Sequence, residues 1–128
     1  MTSGINIVFD TCAAIMLLKG KFKLSSLGLD IDKTLLYISV ITRMEILAKK
    51  DMKPEEEQVI RNFIADVIVF PLDEEVERKA IEIRRATSIK LPDSIVAATS
   101  IVLNAVLLTE DSQLLNLSWP GLRTKNIF

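Results

Sequence analysis

The sequence predicts a three-layer α/β/α domain with a central, mostly parallel sheet of four or five strands. Three observations lead there. Short β-branched runs alternate with longer segments of helical pattern, the rhythm of strand–helix–strand units. The runs are apolar at nearly every position rather than at every second one, as in strands covered on both faces. Acidic and proline helix-start signals come soon after the runs, as short strand-to-helix connections require.

INIVF (Ile5–Phe9) is the first strand. Asp10-Thr11 opens a helix over 12–18 with an apolar face. Residues 19–33 carry Gly20, Gly28 and alternating charges, and read as a loop with room for a short helix. The second strand is 35–40. A helix over 42–50 follows, with Ile46 and Leu47 facing inward and Lys49-Lys50 near its C-terminus, where cations suit the helix dipole. Pro54 and the three glutamates after it start a helix running to about residue 65. VIVF (67–70) is the third strand. Asp73-Glu74-Glu75 open the longest helix, to about residue 88, with Val76, Ala80, Ile83 and Thr87 on one face. Pro92 opens a helix that is apolar almost all round and hence deeply buried, and Asn104 ends it in a left-handed cap. AVLLT (105–109) is the fourth strand, 111–117 a short helix, and the tail TKNIF an edge strand. No repeat or linker interrupts the pattern, so 1–128 reads as a single domain.

Composition excludes several chemistries. With 49% apolar and 26% charged residues the chain is an ordinary globular one, and with 5% aromatic its core must be aliphatic. There is no histidine, which removes a Ser-His-Asp triad, a histidine general acid and the common zinc sites. The single cysteine, Cys12, cannot form an internal disulfide and fits a reducing compartment; it reads as a small buried hydrophobe. Residues 95–108 are too short to span a membrane and are interrupted by Thr99, Ser100 and Asn104. No secretory pattern opens the chain, so the expected location is cytoplasmic, away from membranes. A net charge of −1 offers no bulk attraction to nucleic acid. Lys49-Lys50 and Arg84-Arg85, with Lys19, Lys21, Lys23, Arg43 and Lys90, are the local sources of positive charge, most of them read as solvated helix faces. No glycine-rich phosphate loop is present.

Four acids stand where a strand-like run gives way to a helix: Asp10, Glu45, Asp93 and Asp111. Each has a plain structural reading. Asp10 and Asp111 can cap the helices they precede. Thr42-x-x-Glu45 fits a capping box, and Asp93 suits a first helical turn. Taken together they say more. Parallel topology gathers strand ends and helix starts along one edge, the edge where such sheets bind ligands. Capping can be done by Ser, Thr or Asn, and crowded carboxylates repel unless a cation sits among them. Oxygen-only ligands select Mg²⁺ or Mn²⁺. Asp30-x-Asp32, with no later acid at a calcium-loop position, reads as a solvated turn.

IVFDT, ISVITRMEIL, KLPDSIVAATSIVL and LLTEDSQLL together resemble the four acidic motifs of PIN-domain ribonucleases. In length and motif order the chain is most similar to the VapC-like toxins of type II toxin–antitoxin pairs, and the resemblance spans essentially all of it. LPDSIVAATS is its most specific part. The resemblance implies an Mg²⁺- or Mn²⁺-dependent endoribonuclease that hydrolyses RNA phosphodiesters. Asp10, Glu45, Asp93 and Asp111 would be its acidic metal ligands, with Thr11 as a polar neighbour and Thr109 orienting a ligand or water. It also implies an RNA substrate, a cognate antitoxin that covers the site, and a homodimer. Two positions depart from the family pattern: Asn104-Ala105 where many relatives carry Gly, and Leu114-Leu115 where many end the fourth motif with an acid and Phe.

Two alternatives belong to other classes. A catalytically inactive PIN-fold module would bind RNA or protein without cutting. A phosphoacceptor receiver domain would need an Asp directly ending its third strand, where this chain has Phe70-Pro71-Leu72 before Asp73.

Overall fold

The computed structural model describes residues 5–128. β1 (Ile5–Phe9), β2 (Thr34–Ser39), β3 (Ile68–Phe70), β4 (Val106–Thr109) and β5 (Arg123–Asn126) form one sheet in the order β3-β2-β1-β4-β5. All its pairings are parallel. The helices are α1 (Thr11–Leu18), α2 (Val40–Leu47), α3 (Pro54–Asp66), α4 (Glu74–Ala86), α5 (Leu91–Val102) and α6 (Ser112–Leu115). The expected three-layer fold is present, with β5 as the edge strand that TKNIF suggested.

Strand order decides which face each helix covers. From β1 the chain steps outward to β2 and β3, then crosses back past β1 to β4 and β5. Parallel crossovers are right-handed, so reversing the direction of travel moves the connecting helices to the opposite face. Ile7, Phe9, Ile38 and Leu108 accordingly pack with Ala13 and Ala14 of α1 and with Phe63 and Ile64 of α3. Val8 and Leu107 pack on the other side with Val76, Ala80 and Ile83 of α4, Val96 and Ala97 of α5 and Leu114 of α6. Ile7, Val8 and Phe9 are all fully buried, so β1 is apolar on both sides. Burying one such side chain contributes roughly 1.5–3 kcal/mol.

Helix ends differ from expectation where a side chain intervenes. Ser39 caps α2, its hydroxyl accepting from the Ile41 N–H at 3.2 Å, so the helix begins before residue 42. It ends at Leu47, leaving Lys49 and Lys50 beyond its last turn. α4 stops at Ala86 because Thr87 turns extended, donating to the Ile83 carbonyl at 2.7 Å and accepting from the Ile89 N–H at 3.2 Å. At 13 residues it equals α3 rather than exceeding it. Residues 19–33 hold two 3₁₀ turns, Leu24–Leu27 and Ile31–Lys33, the second opened by Asp30. The Asp30 carboxylate accepts from the Asp32 N–H at 3.1 Å, consistent with a local turn.

α5 ends next to the start of β4. Its Leu103 carbonyl accepts from Asn6 Nδ2 at 2.9 Å, near the beginning of β1. The helix therefore runs against the strands and starts at their carboxyl edge. Asn104 makes the reversal, with φ of 51° in the left-handed region. Arg123 donates to its carbonyl at 2.7 Å. A β-branched residue at φ > 0 is strained by about 1–2 kcal/mol. Asn104→Val should lower unfolding stability by about that amount, and Asn104→Gly should be close to neutral; urea melts of the two variants check this.

Candidate active site

β1, the central strand, ends beside β2 on one side and β4 on the other, with Phe9 in register with Ile38 and Leu108. The order reverses between β1 and β4, which makes their carboxyl ends the switch point of the sheet. Asp10 lies there, only 5% exposed. Its N–H donates to the Leu108 carbonyl at 3.2 Å, continuing the ladder by one residue. One carboxylate oxygen accepts from the Ala13 N–H at 2.7 Å and so caps α1. The other accepts from the hydroxyl of fully buried Thr109 at 2.5 Å. Thr109 in turn accepts from the Asp111 N–H at 2.9 Å, which ties the fourth motif to the first.

Capping and function were competing readings for the acids, and the structure separates them residue by residue. Asp10 and Asp111 are caps, Asp111 accepting from the Gln113 N–H at 2.9 Å. Glu45 is not. With α2 opened by Ser39, Glu45 lies inside the helix, and the capping box read from Thr42-x-x-Glu45 does not form. Its Oε1 accepts from Thr11 Oγ1 at 2.5 Å instead, joining α2 to α1. Asp93 lies in the first turn of α5 after Pro92, as expected.

The acids sense one another. Burial pushes the Asp10 carboxyl above its ordinary range, against the hydrogen bonds from Thr109 and Ala13, and the charges of Asp93 and Asp111 push it further. Burial also raises Asp93, assisted by Asp111 and Glu45 and opposed by Lys90. All four predicted acids thus share one electrostatic neighbourhood at the carboxyl edge. Among the described residues no three acidic, cysteine or histidine side chains stand close enough to enclose an ion by themselves. Yet the donor set is all oxygen, and the mutual repulsion is of the kind a hard divalent cation relieves, so the chemistry of the residues fits such a cation.

Cys12 differs from expectation. It is half-buried rather than buried, and its thiol donates to Glu110 Oε1 at 3.0 Å. Burial and that carboxylate push the thiol up to about 12. Sequence reasoning also missed Thr42, fully buried on α2 with its hydroxyl oxygen 3.3 Å from Thr11 Oγ1. The Thr42-x-x-Glu45 spacing was the available signal, but it also fits a capping box. Of the two departures from the family pattern, Asn104 adopts the backbone a glycine would. Leu114 is fully buried in the core cluster that also holds residues of α4 and α5, so that position serves the core. Beside Glu45 a cavity of about 470 Å³ opens between α1, α2 and α3, lined by Ile15, Leu18, Ile46, Val59 and Ile60 with Lys19 and Lys49 at its rim.

A parallel, doubly wound sheet with Asp10 at its switch point and further carboxylates along the same edge defines a class of α/β domains whose ligand edge is acidic. A family model described as PIN domain matches residues 7–120, and the chain belongs to the PIN-domain family. Its fold is similar to that of a chain in the DNA-bound VapBC complex of Salmonella typhimurium, at TM-score 0.80 and 22% identity over 97% of this chain and 99% of that one. A chain of Rickettsia felis VapBC2 bound to a promoter DNA fragment gives 0.78 and 16% over 95% and 98%. One from a Klebsiella pneumoniae toxin–antitoxin complex gives 0.73 and 25% over 91% and 94%. No curated protein sequence matches the chain. Among the described residues no helix is long and apolar enough to cross a membrane.

The carboxylate repulsion has a pH signature. Because Asp10 and Asp93 hold protons more tightly folded than unfolded, their contribution favours folding below the ordinary value of 3.8 and is lost as pH rises through their raised folded pKa. Asp93→Asn should therefore raise the Tm of metal-free protein at pH 7, and the gain should shrink as pH falls toward 4. Calorimetric melts across that range measure it, and a gain independent of pH would show that repulsion is not the cause.

Proposed function

We propose that this protein is a divalent-metal-dependent endoribonuclease and the toxin of a toxin–antitoxin pair. The observation that carries the reading is the gathering of Asp10, Glu45, Asp93 and Asp111 at the switch point, where Asp10 and Asp93 are each raised partly by the others' charge. Helix capping accounts for Asp10 and Asp111, whereas Glu45 and Asp93 cap no helix. Membership of the PIN family supports nuclease chemistry, and the toxin–antitoxin complexes among its structural relatives support an antitoxin partner.

Asp10, Glu45, Asp93 and Asp111 would hold Mg²⁺ or Mn²⁺, which when bound supplies an acidified water and neutralises charge on the scissile phosphate. The chain does the rest. Thr109 fixes the Asp10 carboxylate by its short hydrogen bond, and the Ala13 N–H fixes the other oxygen. Each oxygen keeps a free lone pair. Thr11 holds one oxygen of Glu45 and leaves the second available. Lys90, whose charge opposes the rise of the Asp93 carboxyl, would be available to meet an incoming phosphate. The mainly aliphatic cavity beside Glu45 would let a partner segment lie against the acids and block them. Action in the cytoplasm and assembly as a homodimer belong to this proposal on the family's pattern.

Asp10→Asn and Asp93→Asn should each abolish Mg²⁺- or Mn²⁺-dependent cleavage of single-stranded RNA while circular dichroism stays unchanged. Calorimetry should show Mn²⁺ binding by the wild type that Asp93→Asn weakens by at least about tenfold. Full activity in either variant would remove the assignment. Metal binding without cleavage of any RNA would favour the inactive binding module.

A further inference from the structure

The hydrogen bonds around Glu45 have a direction that proton counting fixes. Thr11 Oγ1 lies 2.5 Å from Glu45 Oε1 and 3.3 Å from Thr42 Oγ1. A hydroxyl has one proton to give and an ionised carboxylate can only accept. Thr11 therefore spends its proton on Glu45 and offers Thr42 an acceptor. Thr42 is fully buried, and a buried hydroxyl without a partner is costly, so it donates to Thr11. The order is Thr42 to Thr11 to Glu45.

We infer that Thr42 is a positioning residue for the acidic site, acting on Glu45 through Thr11. Thr42 and Glu45 are three residues apart on α2 and so share a face, and Thr11 on α1 meets both. Glu45 is exposed, and a free glutamate there would sample several rotamers. Thr11 is β-branched with few χ1 states, and the Thr42 donor selects the one that aims its proton at Glu45. The arrangement parallels Thr109, which spends its proton on Asp10 while accepting from the Asp111 N–H. Two acids of the edge are thus each held by a threonine whose direction of donation is set by a second donor. The inference deepens the nuclease proposal and rests on its reading of Glu45 as an acid of the metal site.

The test compares wild type, Thr42→Val and Thr42→Ser in the full chain. Valine keeps the shape and removes the donor; serine keeps the donor. Side-chain scalar couplings of Thr11 and Glu45, measured by NMR without metal, should report one rotamer each in wild type and Thr42→Ser, and averaging in Thr42→Val. Mn²⁺ affinity by calorimetry should fall about tenfold in Thr42→Val and be restored in Thr42→Ser. Unchanged couplings in Thr42→Val, or equal loss of Mn²⁺ binding in both variants, would overturn the inference and leave Thr42 a packing residue. If wild type takes up no Mn²⁺, the metal-site proposal fails, and the couplings alone still decide whether Thr42 orders the pair.

Discussion

A buried carboxylate at the end of the central strand is the constraint around which this structure is arranged. Asp10 follows three consecutive fully buried residues, so it enters the site from inside the core rather than from solvent. An ionised group there is costly unless hydrogen-bonded. Two donors answer it from different parts of the chain: the first turn of α1 and the last residue of β4. The second exists only if β1 and β4 are neighbours in the observed register. The switch-point topology and the Asp10 environment therefore specify each other, and a slip of β4 by one residue would point Thr109 to the opposite face.

That coupling explains what was legible in the sequence. Central strands were readable because burial on both faces leaves a nearly continuous apolar run, as in INIVF and AVLLT. The start of α5 was readable from Pro92, and its end from Asn104, whose left-handed backbone has few other occupants. Local signals misled where tertiary contacts compete with them. Thr42 and Glu45 have the spacing of a capping box, yet Ser39, buried at the end of β2, caps α2 earlier. Both side chains were then free to face α1, and a contact across 34 positions in sequence cannot be seen in the local pattern. Cys12 was misjudged for the same reason, since its partner Glu110 is 98 positions away.

The acids of the carboxyl edge were legible in the sequence as a group, but their separate structural roles were not. Acids at strand-to-helix junctions point to the edge, although Glu45 lies inside α2 rather than at its start. The junction pattern could not say that Asp10 and Asp111 cap helices as well as facing the site, or that Glu45 and Asp93 cap nothing. Capping and site duty are compatible at Asp10 because a carboxylate has more acceptor positions than one N–H and one hydroxyl consume.

The division of labour bears on why acids rather than neutral caps occupy these junctions. Asn or Ser at position 10 or 111 would satisfy the same backbone donors without adding charge. The acidic choice instead leaves Asp10 and Asp93 raised by burial and by neighbouring carboxylates, opposed at Asp93 by a single cation, Lys90. A domain arranged for stability alone would place more positive charge along that edge. Lys49, one of two basic residues beside the Glu45 cavity, is instead held by Glu56 on α3 at 2.5 Å. The resulting negative field costs the fold stability near neutral pH, a cost that a bound cation would relieve. On the proposed reading, the same electrostatics that costs the fold stability would give the acidic edge its affinity for a divalent ion.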